Sequence, residues 1–175
     1  MEEKIEVRTL LLGLRRKFVY LCVNHIYAGT NSRYWEIKRT LLNSIGHEIG
    51  ENTKVVGPVK IYGKLKTGKD VWLGANFTLH GLGHVQIGDC CDIAPDVTCL
   101  TGSHEIGDHS RRAGTGITRD VQIGNGCWIG AGSTIVGGAE IGDGCVVAAC
   151  TCVVKSAPAD TLIGGVPGKV IRELG

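Results

Sequence analysis

Six histidines and eight cysteines are the side chains of this chain best suited to chemistry at neutral pH. An imidazole of pKa about 6.5 can take up and hand on a proton, and imidazoles and thiolates together can hold a metal. Their spacing separates these uses. No Cys-x-x-Cys occurs, and Cys150-x-Cys152 is too little for a zinc site. His80 and His84 are four apart, but in a region of strand and corner that spacing does not put them on one face, as it would on a helix. What remains is a polar, glycine-rich run from Glu105 to Asp120, with His104 at its entrance and His109 inside it beside Asp108. A loop of this length in an otherwise regular sequence is more often functional than decorative, so the run is the place to seek a site.

The regular sequence around it has a period of six. Aliphatic residues recur at Ile49, Val55, Ile61, Leu73 and Leu79, with Thr67 as the polar exception. After a two-residue slip the series resumes at Ile87 and Ile93, and it returns in phase at Ile123, Ile129, Ile135, Ile141, Val147 and Val153. Four residues after each aliphatic the side chain is usually small, as at Thr53, Val71, Cys91, Cys127, Ser133 and Cys145. One residue after it glycine is frequent (Gly50, Gly68, Gly74, Gly88, Gly124, Gly130, Gly142), which suggests corners that turn with positive φ. A unit this small cannot bury a face alone, so the sixes must stack as coils whose strands pair in parallel. The pattern predicts an all-β solenoid, a parallel β-helix of about five coils over 49–158 with an excursion loop near 105–120, and it makes Cys91, Cys99, Cys127 and Cys145 packing residues.

Residues 1–48 lack the period. Leu10, Leu11, Leu14, Phe18, Leu21 and Cys22 follow helical spacing, with Arg15, Arg16 and Lys17 between them. A second helix is expected after the cap candidates Asn31 and Ser32, burying Tyr34, Ile37, Leu41 and Ile45 and stopping near Gly46. Both are expected to cover the first coil, although a membrane-surface helix is the other use of such a pattern. The tail, 159–175, ends in Gly165-Val166-Pro167-Gly168-Lys169-Val170-Ile171-Arg172. With 175 residues, 43% of them hydrophobic, the chain has material for one modest domain, and a formal charge of +2 argues against a nucleic-acid partner. The Met-Glu-Glu-Lys start is not a secretory signal, and Phe18–Ser32 is too short and polar to span a bilayer. The thiols are therefore expected to be reduced and the protein cytoplasmic.

Four stretches carry a family resemblance. They are Ile87-Gly88-Asp89 to Thr98, Ile123-Gly124-Asn125-Gly126-Cys127-Trp128-Ile129-Gly130-Ala131-Gly132, Ile141-Gly142-Asp143-Gly144-Cys145-Val146-Val147, and the tail from Gly165 to Arg172. Over about 49–175 the chain resembles the hexapeptide-repeat acyltransferases of the sugar and polysaccharide O-acetyltransferase type. The resemblance implies a left-handed β-helix, a homotrimer with the 105–120 loop reaching over the adjacent subunit, acetyl-CoA as co-substrate and no required metal. It places a catalytic His at Thr101-Gly102-Ser103-His104, an oxyanion donor at the backbone N–H of Ala131, and Asn76 where a family Asn holds the acceptor. Coenzyme A would lie in the groove between subunits, against Trp128, Ala131, Ala149, Lys155, Lys169 and Arg172. Glu105, Asp92 and a backbone carbonyl are all open as the partner that orients His104.

An alcohol attacking a thioester must lose its proton, and an imidazole can accept that proton and pass it to the departing thiolate. The acceptor expected is a hydroxyl of a sugar or polysaccharide precursor rather than a free disaccharide. Residues 1–48 lack the helical pattern of the maltose and galactoside enzymes, and Glu105 stands where those enzymes commonly have Pro. A serine or xenobiotic O-acetyltransferase and a non-catalytic β-helix scaffold are the alternatives, the last disfavoured by the Trp128 block, the basic tail and His104.

Overall fold

In the computed structural model the described residues run from 2 to 175, with side chains described from Leu10 onward. A helix, α1 (Glu2–Leu21), runs into a π-turn (Cys22–Ile26), and a second helix, α2 (Trp35–Ser44), precedes the strands. The strands form a three-faced parallel solenoid. Its long face stacks Lys54–Val55, Trp72–Leu73, Asp92–Ile93, Trp128–Ile129, Val146–Val147 and Thr161–Gly164, and Lys169–Glu173 closes it in antiparallel pairing. The second face stacks Val59–Ile61, Phe77–His80, Thr98–Leu100, Thr134–Val136 and Cys152–Val153. The third stacks Lys64–Thr67, His84–Ile87, Val121–Ile123 and Glu140–Ile141.

Register on the long face explains the numerology of the sequence. Lys54, Trp72, Asp92, Trp128, Val146 and Leu162 are successive partners, at offsets of 18, 20, 36, 18 and 16. Eighteen is one coil of three sixes. The slip adds Gly81 and Leu82 at one corner, where Leu82 is left 80% exposed, and the excursion adds another eighteen, which is why the period resumes in phase. The last coil is shorter by two, so Thr161–Gly164 falls outside the six-residue count, and the solenoid has about six turns rather than five.

The aliphatic series is the core. Val55, Leu73, Leu79, Ile93, Ile129 and Ile135 are fully buried, each contributing about 1.5–3 kcal/mol. Thr67 is buried too, and its Oγ1 accepts from the Gly50 N–H at 3.1 Å. The thiols of Cys91, Cys127 and Cys145 stack in one column and donate to the carbonyls of Gly124, Gly142 and Pro158 at 3.0, 3.1 and 3.0 Å. Burial pushes the Cys99 thiol up to about 12, which keeps it protonated and inert.

The glycines that follow the aliphatics serve a different purpose from the one expected. Positive φ falls three residues after the aliphatic, at Asn52, Asp70, Asn76, Cys90, Asp96, Gly126, Gly132, Gly144 and Cys150. Gly130 and its counterparts are there because the next coil passes too close for a side chain: a Cβ would lie 2.5 Å from the Ala149 nitrogen at Gly130 and 2.2 Å from the Gly68 oxygen at Gly50.

The helices close the first coil, the first of them with a face mostly other than the one expected. Asn24 clamps Val59, its Nδ2 donating to the carbonyl at 2.9 Å and its Oδ1 accepting from the N–H at 2.8 Å. The Tyr20 hydroxyl donates to the Ile61 carbonyl at 2.9 Å. Beside them Val19, Cys22 and Val23 are buried, whereas Leu10, Leu11, Leu14, Phe18 and Leu21 face solvent. In α2 the fully buried residues are Lys38 and Leu42, Leu41 and the following Ile45 pack partly buried on the core as expected, and Ile37 is exposed. The Lys38 ammonium donates to the carbonyls of Gly29 (2.9 Å) and Val56 (3.2 Å), and burial lowers its pKa to about 8. An open solenoid end consists of unpaired backbone groups, so polar side chains rather than a greasy stripe do much of the covering.

The excursion is not a loop. Gly102–Ile106 and Ala113–Thr118 pair in an antiparallel hairpin, His104 opposite Gly116. Its tip is tied by Asp108, whose Oδ1 accepts from the N–H groups of Ser110 (2.9 Å) and Arg111 (3.3 Å).

Candidate active site

The corner between the long and second faces carries Asn76, Asp96, Ala131 and Ala149 on successive coils. The Asp96 N–H donates to the Ala75 carbonyl at 2.8 Å, the Gly132 N–H to Pro95 at 3.1 Å, and the Cys150 N–H to Ala131 at 2.8 Å. Asn76 takes φ 61°, and its Nδ2 donates to Asp96 Oδ1 at 2.9 Å. That bond fixes the amide so that its carbonyl oxygen stays free. The N–H groups of Ala131 and Ala149 have no hydrogen-bond partner among the described residues, and Ala131 is exposed. An unspent backbone donor at a rigid corner can accept a developing negative charge without reorganising.

Beside this corner, the outward row of the long face places Trp72, Asp92, Trp128, Val146, Leu162 and Arg172 in register. Trp128 is 58% exposed, and with Trp72 it walls a shallow depression lined also by Asp92, Ala94 and Pro95. Arg172 lies three strands from Trp128 on that row, about 14 Å away at the usual strand spacing. Lys169 pairs with Gly164 at the corner end of its strand, next to the Gly168 N–H that donates to Cys152 at 2.7 Å. Ala131, Ala149 and Lys169 therefore share one corner, with Trp128 and Arg172 on the adjoining face. Lys155 does not join them: it follows Cys152–Val153, at the far edge of the second face.

His104 is apart from this group. Asn76 immediately precedes and His80 ends the strand Phe77–His80, a separation of about 13 Å, and the hairpin is rooted at the His80 end. There Thr101, buried, accepts the Gly83 N–H at 3.2 Å and donates to the His80 carbonyl at 2.9 Å. Every residue of Gly102–Ile106 is exposed, and the His104 ring has no hydrogen-bond partner among the described residues. Asp92, one partner considered for it, lies on another face. His80 stacks on Tyr62 at 5.7 Å, while His84 begins the third face, its N–H donating to Asp120 at 2.7 Å.

The sequence reading missed Asp96, Thr101 and Tyr62. Each was within reach through the coil offset: Asp96 is one slipped coil after Asn76, and Tyr62 one coil before His80.

Similarity to known proteins agrees with this architecture. The family model described as bacterial transferase hexapeptide (six repeats) matches residues 120–155. The chain is 35% identical over 150 residues to the putative colanic acid biosynthesis acetyltransferase WcaF of Escherichia coli K12, covering 85% of this chain and 81% of that protein. It is 34% identical over 141 residues to the galactoside O-acetyltransferase of the same strain, covering 79% and 70%. Among solved structures, the hexapeptide-repeat acetyltransferase VCA0836 of Vibrio cholerae O1 biovar eltor, complexed with acetyl coenzyme A, superposes with a TM-score of 0.80 at 27% identity, over 94% of this chain and 88% of that one. With the solenoid, the exposed Trp128 row and relatives of this length and identity in hand, the chain belongs to the hexapeptide-repeat acyltransferases of the sugar O-acetyltransferase type.

Proposed function

We infer that this enzyme transfers the acetyl group of acetyl-CoA to a hydroxyl of a sugar or polysaccharide precursor, with His104 as general base and the Ala131 N–H as oxyanion donor. The hydroxyl oxygen attacks the thioester carbon as a His104 ring nitrogen takes its proton. The Ala131 N–H meets the negative oxygen of the tetrahedral intermediate, and Asn76 positions the acceptor. The C–S bond then breaks, and His104 returns its proton to the departing sulfur, leaving an acetyl ester and the free thiol of CoA. Trp128, Ala149, Lys169 and Arg172 would line the coenzyme's path, with the two cations toward its phosphates. Lys155 serves the same path only from the far edge of the second face, so it is the least supported member.

The observation that carries this reading is the division of the site. The corner offers an unpaired N–H beside an aromatic and basic row, but His104 rides a hairpin rooted at the opposite corner. A second copy presenting its hairpin to this corner would complete the set, which supports a site between subunits; that the assembly is a homotrimer is what the family resemblance implies. His104→Ala should lower turnover about 10²- to 10⁴-fold while CoA binding persists. The assay is mass spectrometry over a panel of sugars, nucleotide sugars, serine and polysaccharide. A variant turning over at the wild-type rate refutes the base. Light scattering should give three times 18.6 kDa, and an active monomer refutes the shared site.

A further inference from the structure

The outer side of α1 is unlike the rest of the surface. Leu10, Leu11, Leu14, Phe18 and Leu21 are 51–64% exposed. At 100° per residue they fall within an arc of about 100°, turned away from Val19 and Val23, which are buried against the solenoid, while Leu12, 53% exposed, is the one exposed leucine of α1 among the residues with described side chains that lies outside the arc. Arg15 flanks one edge of the arc and Lys17 the other, and the sequence has no acidic residue between Glu6 and Glu36. Both cations are exposed and engaged in no ion pair among the described residues.

A second copy of the helix is a poor match for this stripe. Leu11, Leu14, Phe18 and Leu21 keep a 3-4-3 spacing that would serve as a coiled-coil seam, but the positions beside that seam are then Arg15 and Lys17. Self-pairing would set cation against cation with no carboxylate to neutralise them. An anionic bilayer meets both requirements: it takes the apolar arc into the acyl boundary and the cations onto its phosphates. Because the buried side of α1 is the opposite one, the helix can lie flat on a membrane with the solenoid standing above it. No helix among the described residues is long and apolar enough to cross one.

We propose that α1 is a docking helix for an anionic lipid surface, seating Leu10, Leu11, Leu14, Phe18 and Leu21 in the interface with Arg15 and Lys17 on the headgroups. The inference is independent of the acyl-transfer reading. It is tested by floating the full-length protein with vesicles of phosphatidylcholine alone and of phosphatidylcholine mixed with phosphatidylglycerol. The protein should float with the mixture and largely stay behind with phosphatidylcholine. Arg15→Gln with Lys17→Gln should cut partitioning about thirtyfold, and Leu14→Gln with Phe18→Gln at least tenfold, the effect of losing even one apolar anchor. Circular dichroism must show both variants folded. Absence of flotation, or variants that float like the wild type, overturns the proposal. So does a fall in oligomer mass caused by Leu14→Gln with Phe18→Gln, which would make the stripe an interface between copies.

Discussion

The coils and the hairpin use the same hydrogen-bond ladder and differ in having an inside. In the coils every sixth residue is sealed in a continuous core, so backbone pairing and burial reinforce each other. In the hairpin all of Gly102–Ile106 faces solvent and Ile106 is 88% exposed. A two-stranded ribbon in water is marginal at best, so this one must be held by its root at Thr101, its Asp108 tip and whatever it meets. The lesson is that rigidity and exposure are housed separately: the solenoid is a ruler fixing where groups sit, and in the proposed mechanism the hairpin is the carrier of His104, useful only against another surface.

Excision is the hardest test of that separation. Thr101 and Arg119 are adjacent, the Arg119 N–H donating to the Thr101 carbonyl at 2.8 Å, so residues 103–117 can be replaced by a short turn without parting the strands on either side. The shortened protein should lose activity by about 10³-fold or more, since it lacks the proposed base His104, while its thermal unfolding stays cooperative and close to wild type. If excision unfolds the solenoid, the hairpin is structural and the separation fails.

The converse change strikes the ruler. Ile129 is fully buried and its strand carries Trp128 and leads into the Ala131 corner. Ile129→Ala should cost about 2–5 kcal/mol by denaturant titration, and because the corner shifts with it, turnover should fall too. Loss of stability with unaltered turnover would mean that the corner does not depend on the coil beneath it.

What the sequence disclosed follows the same division. The solenoid was legible because one aliphatic per six leaves few other ways to bury a face, and the repeat also fixed the coil positions of the proposed site residues Asn76, Trp128, Ala131 and Ala149. The hairpin read as a loop because its strands have no buried face to impose alternation. The helices were recognised, and Leu41 and Ile45 of the second pack on the core as expected, but the packing side of the first was not: Leu10, Leu14 and Phe18 obey the rule for a core stripe, while the side that packs uses Tyr20 and Asn24, joined by Lys38 of the second helix, whose value lies in the open strand edge they satisfy. The glycines misled because two physical reasons for glycine, a turn and a close approach, leave the same letter.

The capped first coil lies between these extremes and offers the gentlest test. His47 is buried there, its Nδ1 accepting the Leu65 N–H at 3.3 Å and its Nε2 3.0 Å from the Tyr20 hydroxyl. Since that hydroxyl donates to Ile61, Nε2 must carry the proton and the ring is neutral. Burial, reinforced by Arg16 and Lys64, lowers its pKa to about 4. A folded value below the unfolded 6.5 means that the unfolded chain binds the extra proton first. The stabilisation is thus complete above pH 6.5 and is lost as pH falls toward 4, by about 3 kcal/mol. Denaturant midpoints for wild type and His47→Gln should therefore converge across that window. Because His47 joins α1 to the first coil, the loss should appear as release of the cap, with the later coils keeping their circular dichroism signal. Parallel curves for the two proteins would show that His47 is not the group that ties the cap's stability to pH.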